Sequence, residues 1–327
     1  MIENVEFVSA ACGIRLDAAL LMRYPSVPRA FVREACGAGD VLVDGRRAPK
    51  GMKLKGGERI TVLHLDEAAD NRPAPDPSVR PRIIFEDEAL LAFDKPAGMP
   101  VQPLDRREKG ALMNGVAARW PECVGAGDDP LMAGALHRID TGTSGLVMVA
   151  RTGDAFANMR AQFSAGKVRK TYLAVVEGAV AVGCTLENDL AHMPGIDFCK
   201  MADAARLGAS AGRAMHAVTS FRPLCTARDG GEERTLLEVV IYTGVTHQIR
   251  AQLAIAGMHI LNDRLYGAFA VEGMEGHMLH SFSASFLHPV SGERCEIRTE
   301  APEWALVPAF RECVQDFINR PAGTTEG

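Results

Sequence analysis

The stretch HRIDTGTSGLVMVA, residues 137–150, joins a polar segment to an apolar run. The run at 146–150 predicts a buried strand. Just ahead of it stands one carboxylate, Asp140, among a histidine, an arginine and hydroxyl side chains. A carboxylate placed next to a buried strand needs a partner or a chemical task. From these residues alone, an aspartate that merely stabilises a turn or caps a helix remains an alternative.

Further segments with the same mixture of polar and small residues lie on both sides of this stretch. They are DKPAGMPVQP at 94–103, KTYLAVVEG at 170–178, TGVTHQIR at 243–250 and NDRLYG at 262–267. HRIDTGTSGL resembles the HRLDxxTSGL signature of the RluA-type pseudouridine synthases and differs from it only at Ile139. The other segments resemble that family's remaining motifs, in the same order, over residues 80–300. The resemblance implies an isomerase that converts uridine to pseudouridine in structured RNA, with 23S ribosomal RNA as the first expected substrate.

Length and composition fit two globular domains. The chain has 327 residues, of which 47% are hydrophobic and 24% charged, and single domains usually hold about 100 to 200 residues. The acidic N-terminus and the lack of a long apolar run predict a cytoplasmic protein without a membrane partner. Eight cysteines without a CxxC pair predict reduced thiols. We expect no metal, because the HxxH spacing of His277 and His280 has no third ligand nearby in sequence.

Charge is distributed unevenly along the chain. The formal net charge of -5 argues, taken alone, against a nucleic-acid partner. Residues 14–64, however, contain ten Lys and Arg against five Asp and Glu, so this segment carries +5 and the remainder -10. The pattern predicts a basic module joined to an acidic body.

The segment 66–81 divides the chain. It contains four prolines and four acidic residues and almost no large apolar side chain, which is typical of an extended linker. We therefore predict a small domain at 1–65, a linker at 66–81, a catalytic domain at 82–320 and a disordered tail at 321–327. Apolar runs at 82–85, 90–93, 145–150, 171–177 and 236–242 predict strands, and 154–165 predicts a helix. The fold class expected for the large domain is α+β, with a mixed, mainly antiparallel sheet.

The small domain is predicted to contain two short helices, a strand, a tight turn at Asp44-Gly45 and a second strand. This α/β order is similar to the RNA-binding domain named after ribosomal protein S-four. The resemblance implies that basic residues of the second helix and the following turn face phosphates; here these are Arg29, Arg33, Arg46, Arg47 and Lys50. A solvated basic face without a ligand is the alternative.

Pseudouridine formation breaks the bond between uracil and ribose and rejoins the base through carbon, so we expect neither a cofactor nor a metal. The reaction needs a carboxylate against the ribose. Asp140 could serve as a nucleophile at the anomeric carbon or as a base that removes a ribose proton. The sequence leaves both routes open.

Other cleft residues follow from the resemblance. It implies that Arg138 enters the RNA helix where the target uridine leaves, although a simple ion pair with Asp140 is the alternative. Tyr172 is expected to stack on the flipped base, and its hydroxyl could join proton transfer there, with a plain core tyrosine as the alternative. Arg250 is expected to pair with Asp140 and keep it ionised. The remaining residues expected in the cleft or supporting it are His137, Thr143, Ser144, His247 and Gln248.

A helix is predicted from the N-cap Thr246 to the stop at Gly257, with Arg250 pointing away from its buried face. Two departures from the family's motifs flank it. Val245 replaces an arginine, and Asn262 replaces a glycine that Asn can imitate in the left-handed conformation.

Alternative functions are a transfer RNA pseudouridine synthase, which the acidic body and Val245 favour, and an RNA- or ribosome-binding factor whose synthase domain no longer turns over. A binding factor would require a broken catalytic set, whereas Asp140, Tyr172 and Arg250 are all present. We expect a monomer.

Overall fold

The computed structural model describes residues 1–10, 12–67, 71–194, 200–229 and 231–320. By their contacts the residues divide into two compact units, Met1–Arg72 and Pro73–Gly327. The predicted disordered tail, 321–327, lies outside the described residues. Throughout the described ranges, each helix is too short or too polar to cross a lipid bilayer.

The smaller unit is a four-stranded antiparallel sheet with two helices. Its elements are β1 (Ile2–Val8), α1 (Leu16–Arg23), α2 (Arg29–Ala38), β2 (Val41–Val43), β3 (Arg46–Arg47) and β4 (Arg59–Leu65). The strand order is β1-β4-β2-β3. Leu20 and Val32 of the helices and Ile60 of the sheet are fully buried in one core. The predicted order of elements is confirmed, and β1 and the two-residue β3 are additions that the sequence did not predict.

The tight turn of the smaller unit lies where it was predicted. Asp44 and Gly45 both have positive φ angles, 50° and 74°. Two successive residues in this conformation form the hairpin turn that matches the twist of the flanking strands, and Asp-Gly is a favoured pair for it. The turn joins β2 to β3 and places the basic pair Arg46 and Arg47 on the following strand.

The larger unit is built around one large sheet. Its strands are β5 (Arg82–Glu86), β6 (Leu90–Lys95), β7 (Ser144–Ala150), β8 (Arg169–Glu177), β9 (Cys184–His192), β10 (Met201–Asp203), β11 (Met215–Asp229), β12 (Glu232–Ile241), β13 (Leu279–Leu287) and β14 (Arg294–Arg298). Its α-helices are α3 (Leu112–Arg119), α4 (Gly153–Ser164), α5 (Ala204–Leu207), α6 (Gln248–Ile255) and α7 (Arg311–Ile318).

The strand order is β10-β9-β11-β12-β8-β13-β7-β6-β5, with β14 paired to β13. Within the described residues the only parallel neighbours are β13 and β7, and all other pairs are antiparallel. The predicted α+β class with a mixed, mainly antiparallel sheet is confirmed. The five predicted strands and the helix α4 also lie where the sequence placed them, to within a few residues.

The apolar run of β7 is continuous because both faces of this strand are buried. Leu146 and Met148 share one core with Met159 of α4, whereas Val147 and Val149 belong to another core. Successive side chains of a strand point to opposite faces, so a strand covered on both sides is apolar at every position. Thr152 caps α4 by accepting a hydrogen bond from the backbone N–H of Ala155 at 3.2 Å.

The predicted linker 66–81 is wrong in its second half. The backbone N–H of Asp76 donates to the carbonyl of Asn114 at 3.0 Å, and the Asn114 side chain donates to the carbonyl of Ala74 at 2.8 Å. A Cβ on Gly115 would clash with the backbone of Val79, which shows how closely the segment crosses α3. The proline-rich composition suggested an extended chain, but the segment turns at 77–78, where the backbone N–H of Val79 donates to the carbonyl of Asp76 at 3.2 Å, and the buried Asn114 ties it to the larger unit.

Candidate active site

A cavity of about 480 Å³ opens in the larger unit. It lies between the segment before β7, the start of β8, the end of β12 and the start of α6. Eight of the nine residues that the sequence placed in or beside the cleft line it: His137, Arg138, Asp140, Thr143, Tyr172, His247, Gln248 and Arg250. Residues separated by more than 100 positions in sequence thus meet around one space.

Arg250 binds two carboxylates at once. Its Nη1 donates to Asp140 Oδ2 at 2.7 Å, while Nε and Nη2 donate to the two oxygens of Asp263 at 2.7 and 2.8 Å. The side chain of Asp263 is 1% exposed and that of Asp140 is 24% exposed. The guanidinium therefore rests on a buried carboxylate and holds one oxygen of the carboxylate that faces the cavity.

Arg250 and Asp263 keep each other ionised because they lie in contact. Burial opposes ionisation of Arg250, but its hydrogen bonds and the charges of Asp263 and Asp140 raise its pKa above the ordinary value. Burial likewise favours a neutral Asp263, yet the hydrogen bonds and charge of Arg250 hold the pKa of that carboxyl below its usual value. Arg250 and Asp263 thus form an ion pair that keeps its charges at neutral pH.

The second oxygen of Asp140 makes no hydrogen bond to a described residue. Nε2 of His247 lies 3.9 Å from Oδ1, which is beyond hydrogen-bond reach. Burial is the main cause that lowers the pKa of His247, so its ring is neutral at neutral pH. Nδ1 of the same ring lies 3.2 Å from the Tyr266 hydroxyl. One oxygen of Asp140 is anchored, and the other is available to a substrate.

Tyr172 lies on β8 with its side chain 6% exposed at the cavity wall. Burial raises the pKa of its hydroxyl to about 12, although a hydrogen bond with Ser281 acts in the opposite direction. The hydroxyl is therefore protonated at neutral pH. It can donate a proton or a hydrogen bond, and it cannot serve as a base there.

Arg138 is exposed at the cavity and forms no hydrogen bond or ion pair with a described residue. The alternative in which it pairs with Asp140 is therefore wrong. Asp140 instead binds Arg250, which approaches from α6. The Arg138 guanidinium keeps its donors available for a ligand in the cavity.

Comparison with known proteins shows the family of the chain. Residues 89–255 match the family model described as RNA pseudouridylate synthase. A ribosomal large subunit pseudouridine synthase D from Xanthomonas campestris is 34% identical over 320 residues, which cover 93% of this chain and 91% of that protein. The chain belongs to the RNA pseudouridylate synthase family. The isomerisation of uridine in RNA, predicted from the motifs, is its reaction.

Two other similarities add detail about the synthase. An uncharacterised RNA pseudouridine synthase from Aquifex aeolicus is 31% identical and covers 92% of this chain and 94% of its own length. The solved structure of human RNA Pseudouridylate Synthase Domain Containing 1 has a TM-score of 0.57 at 20% identity and covers 76% of this chain and 98% of its own. At that identity the structural likeness shows the fold alone.

Three of the expected cleft residues are held by hydrogen bonds to the synthase itself. His137 accepts a hydrogen bond from the backbone N–H of Met148 at 3.1 Å, and burial lowers its pKa to about 3. Oγ1 of Thr143 lies 2.7 Å from Nε2 of His277. Gln248 donates to the carbonyl of Val218 at 2.9 Å and accepts from Thr243 at 2.9 Å. These contacts fit residues that shape the wall.

Ser144 was also expected in the cleft, and the structure places its hydroxyl against a histidine of β13. Its hydroxyl lies 2.8 Å from Nδ1 of His280, and it is not among the residues that line the cavity. Ser144 is the first residue of β7 and pairs with His280 across the parallel ladder, so the two side chains are cross-strand neighbours. The two histidines with metal-like spacing, His277 and His280, are thus hydrogen-bond partners of the HRIDTGTSGL segment.

The helix that carries Arg250 begins later than predicted. His247, not Thr246, is its N-cap, and it adopts a positive φ of 53°. Nothing in the residue type predicts this conformation. It follows a turn that the Gln248 side chain closes, because its oxygen accepts a hydrogen bond from the N–H of Val245 at 3.1 Å. The prediction that Arg250 points away from a buried face is also wrong, because every residue from 248 to 253 is buried.

Sequence reasoning missed Asp263 and Lys95. Asp263 stood inside the NDRLYG segment, but its pairing with Arg250, 13 positions away, depends on the fold. Lys95 is fully buried and donates to the carbonyls of Pro96 at 2.9 Å, Met99 at 2.6 Å and Thr141 at 3.3 Å. It thereby joins the DKPAGMP loop to the turn of Asp140, and burial lowers its pKa to about 8.

Asn262 adopts the left-handed conformation that was predicted, with φ 62°. Its side chain also does what a glycine could not. The amide donates to the carbonyls of Met274, at 3.1 Å, and Gly276, and its oxygen accepts from the N–H of Val271 at 2.9 Å. The departure from the family's motif therefore fastens the loop at 271–276 beside Asp263.

Proposed function

We propose that the synthase modifies uridine in large-subunit ribosomal RNA. The observation that carries this proposal is the similarity, along 93% of the chain, to a protein named ribosomal large subunit pseudouridine synthase D. Further relatives with the same name, from Xylella fastidiosa and Zymomonas mobilis, are 32% and 29% identical and cover 95% and 92% of the chain. Because the similarity extends over both units, we expect this chain to act on the same class of RNA as these relatives.

We propose that Asp140 is the reacting carboxylate. In this hypothesis Arg250 fixes Oδ2 through its 2.7 Å hydrogen bond, and Oδ1 acts on the ribose of the flipped nucleotide. A guanidinium held from behind by Asp263 costs no reorganisation when charge moves on Asp140. The proposal covers both chemical routes, attack on the anomeric carbon and removal of a ribose proton.

We propose that Tyr172 and Arg138 handle the base and the gap it leaves. The protonated hydroxyl of Tyr172 would donate to the uracil or return a proton to it, and the ring would stack on the base. The exposed guanidinium of Arg138 would occupy the place vacated in the RNA helix. Flipping costs a few kcal/mol of stacking and pairing, which a planar cation partly replaces.

We propose residues 1–65 as an RNA-binding domain. Arg29 and Arg33 on α2, Arg46 and Arg47 on β3, and Lys50 beyond it are exposed. Exposed cations on a segment of net charge +5 favour contacts with phosphates, and such contacts make binding strongly dependent on salt. The monomeric state, the cytoplasmic location and the independence from cofactors stay predictions.

Tritium release from RNA labelled at carbon 5 of uridine tests the proposal. Unmodified transcripts of large-subunit ribosomal RNA and of transfer RNA are each treated with wild type and with Asp140→Asn. Release from ribosomal RNA by wild type alone is the expected result. Release only from transfer RNA would overturn the proposed substrate, and release by Asp140→Asn at the wild-type rate would overturn the role of Asp140.

A further inference from the structure

A second cavity, of about 550 Å³, opens in the larger unit and is strongly basic. Six cations line it: Lys167, Arg169, Arg222, Arg294, Arg298 and Arg320. The carboxylates in its lining are Glu238 and Glu296, which leaves an excess of four positive charges. Residues outside 14–64 have a net charge of -10, so the positive charge is concentrated here against the average of the chain. A concave surface of one sign attracts ligands of the other.

Half of these cations are engaged within the protein. Arg169 and Arg222 both bind the buried Glu238, the former at 3.2 Å, and Arg298 binds Glu296 at 3.0 Å. The side chains of Lys167, Arg294 and Arg320 are exposed and form no hydrogen bond or ion pair with a described residue. The two carboxylates are thus neutralised, and three further cations remain available to an external anion.

The floor of the cavity offers hydroxyl donors. Thr171, Ser283 and Ser285 line it. The Thr171 oxygen accepts a hydrogen bond from Arg169 at 2.8 Å, so its own proton is available to donate. Hydroxyls between cations suit a ligand that carries several negatively charged oxygens, and phosphodiesters are such ligands.

This basic cavity and the candidate active site lie on opposite faces of β8. Lys170 and Tyr172 line the active-site cavity, whereas Arg169 and Thr171 line the basic one, as the alternation of a strand requires. Both cavities reach the same end of the sheet. Tyr242, which follows β12 and is 44% exposed, lines both of them.

We propose that the basic cavity binds phosphates of the RNA strand that flanks the target uridine. In this arrangement the strand leaves the active-site cavity, passes Tyr242, whose exposed ring can stack on a base, and meets Lys167, Arg294 and Arg320. The inference rests on the RNA substrate of the proposed function and adds a second contact region to it. An acidic protein segment is the competing ligand, but continuity with the active-site cavity through an exposed aromatic ring favours RNA.

The test compares two double variants of the full chain. Arg294→Gln with Arg320→Gln removes two of the available cations from the basic cavity. The matched control, Arg228→Gln with Arg311→Gln, removes two exposed arginines that line neither cavity. Filter binding gives Kd over a series of NaCl concentrations for a ribosomal RNA fragment with long flanks and for a minimal hairpin that presents the same uridine.

We expect the cavity variant to bind the long RNA about five- to twentyfold more weakly than the control, since each exposed charge pair contributes a factor of about two to five. The slope of log Kd against log salt should fall by about 1.4, which is two phosphate contacts to a single strand. Both variants should bind the minimal hairpin equally and should convert it at the wild-type rate at saturation.

Equal affinities and equal salt slopes of the two double variants for the long RNA would overturn the inference. Binding of polyglutamate that is lost only in the cavity variant, with unchanged RNA affinity, would assign the cavity to an acidic protein segment and also overturn it. Failure of wild type to convert ribosomal RNA is a separate result. It would overturn the proposed substrate, because conversion and binding are measured independently.

Discussion

Asp263→Asn tests whether the buried carboxylate behind Arg250 sets up the site. Asp263 has a side chain only 1% exposed and accepts two hydrogen bonds from Arg250. Removing one partner of a buried ion pair costs about 3 to 5 kcal/mol, because the remaining charge is left uncompensated. Arg250 keeps Asp140 at 2.7 Å, so we expect the lower figure, about 3 kcal/mol. For a unit of this size that corresponds to a fall in Tm of about 6 to 12 °C.

The same variant should slow the reaction. With asparagine at position 263, the guanidinium loses its charged, two-pronged support; it still pairs with Asp140, but it no longer holds Oδ2 in one fixed position. A displacement of about 1 Å at a reacting group costs up to about 100-fold in rate. We therefore expect a single-turnover rate of tritium release about 100-fold below wild type, with an unchanged Kd for RNA because Asp263 is buried.

The stabilisation that Asp263 provides should depend on pH. The pKa of Asp263 in the folded protein lies below the ordinary value of 3.8. Its contribution to stability is therefore fully present above pH 3.8 and is lost as pH falls through the lower, folded value. The difference in unfolding free energy between wild type and Asp263→Asn should be constant from pH 7 to about 4 and shrink below it.

Asp154→Asn is the control. Asp154 lies exposed in the first turn of α4, where a carboxylate contributes about 0.3 to 1 kcal/mol through the helix dipole. It should lower Tm slightly and leave the rate unchanged. Thermal unfolding followed by circular dichroism and single-turnover tritium release are measured on the same preparations. If Asp263→Asn unfolds and reacts like the control, other contacts hold Arg250, such as the Tyr266 ring at 5.2 Å, and the reasoning is refuted.

Substitutions at four further residues should separate the groups that line the active-site cavity from those that support it. Arg138→Ala should alter the unfolding free energy by less than about 0.5 kcal/mol, because the side chain is exposed and pairs with no described residue. It should lower kcat/KM at least tenfold, the loss expected for about 1.4 kcal/mol of the flipping cost, and an unchanged kcat/KM would contradict its role. Tyr172→Phe should slow single turnover with little effect on RNA affinity, whereas Tyr172→Ala should also weaken binding by about 1 to 3 kcal/mol of stacking; equal rates for wild type and Tyr172→Phe would remove the hydroxyl from the mechanism. Burial lowers the pKa of Lys95 and of Lys170 to about 8. The unfolded chain therefore binds more protons than the folded one above that pH, and the free energy of unfolding should rise from pH 8 to 10. Chemical denaturation of Lys170→Met should show a flatter rise, and a rise equal to that of wild type would contradict a lowered pKa of Lys170. Asn262→Gly should lower stability by about 1 to 3 kcal/mol, because the hydrogen bonds to the loop at 271–276 are lost. Asn262→Ala should lower it by about 1 to 2 kcal/mol more, because position 262 has a positive φ. Thermal unfolding that ranks the two variants in the opposite order would contradict both causes.

The local sequence pattern was sufficient to predict the central strands of the large sheet and the hairpin turn of the smaller unit. β7 and β8 are covered on both faces, so their apolar runs stand out in sequence. β9 and β1 gave no such signal. Each exposes much of its length, and their pairing with strands far along the chain, β11 and β4, decides their conformation.

The candidate site could be predicted as a set of residues but not as a geometry. Motif order brought Asp140, Tyr172 and Arg250 into one hypothesis. The partner of each side chain depends on contacts across large separations, such as Asp140 with Arg250 over 110 positions and Ser144 with His280 over 136. Such a contact explains why the histidine partner of Ser144 was not predicted. Asp263 is only 13 positions from Arg250, but the two residues lie in separate motifs whose relative placement depends on the fold. The sequence shows which residues are neighbours on one strand or turn, but it does not show which side chains from distant segments meet.

Net charge was a poor guide to the RNA partner for a physical reason. Phosphates respond to the potential where they bind, and that potential is set by nearby cations within about 10 Å at ordinary salt. The three available cations of the basic cavity come from 167, 294 and 320, so no window of the sequence contains them together. Only the folded sheet, by bringing β8 and β14 beside the end of α7, turns scattered arginines of an acidic unit into a local positive surface.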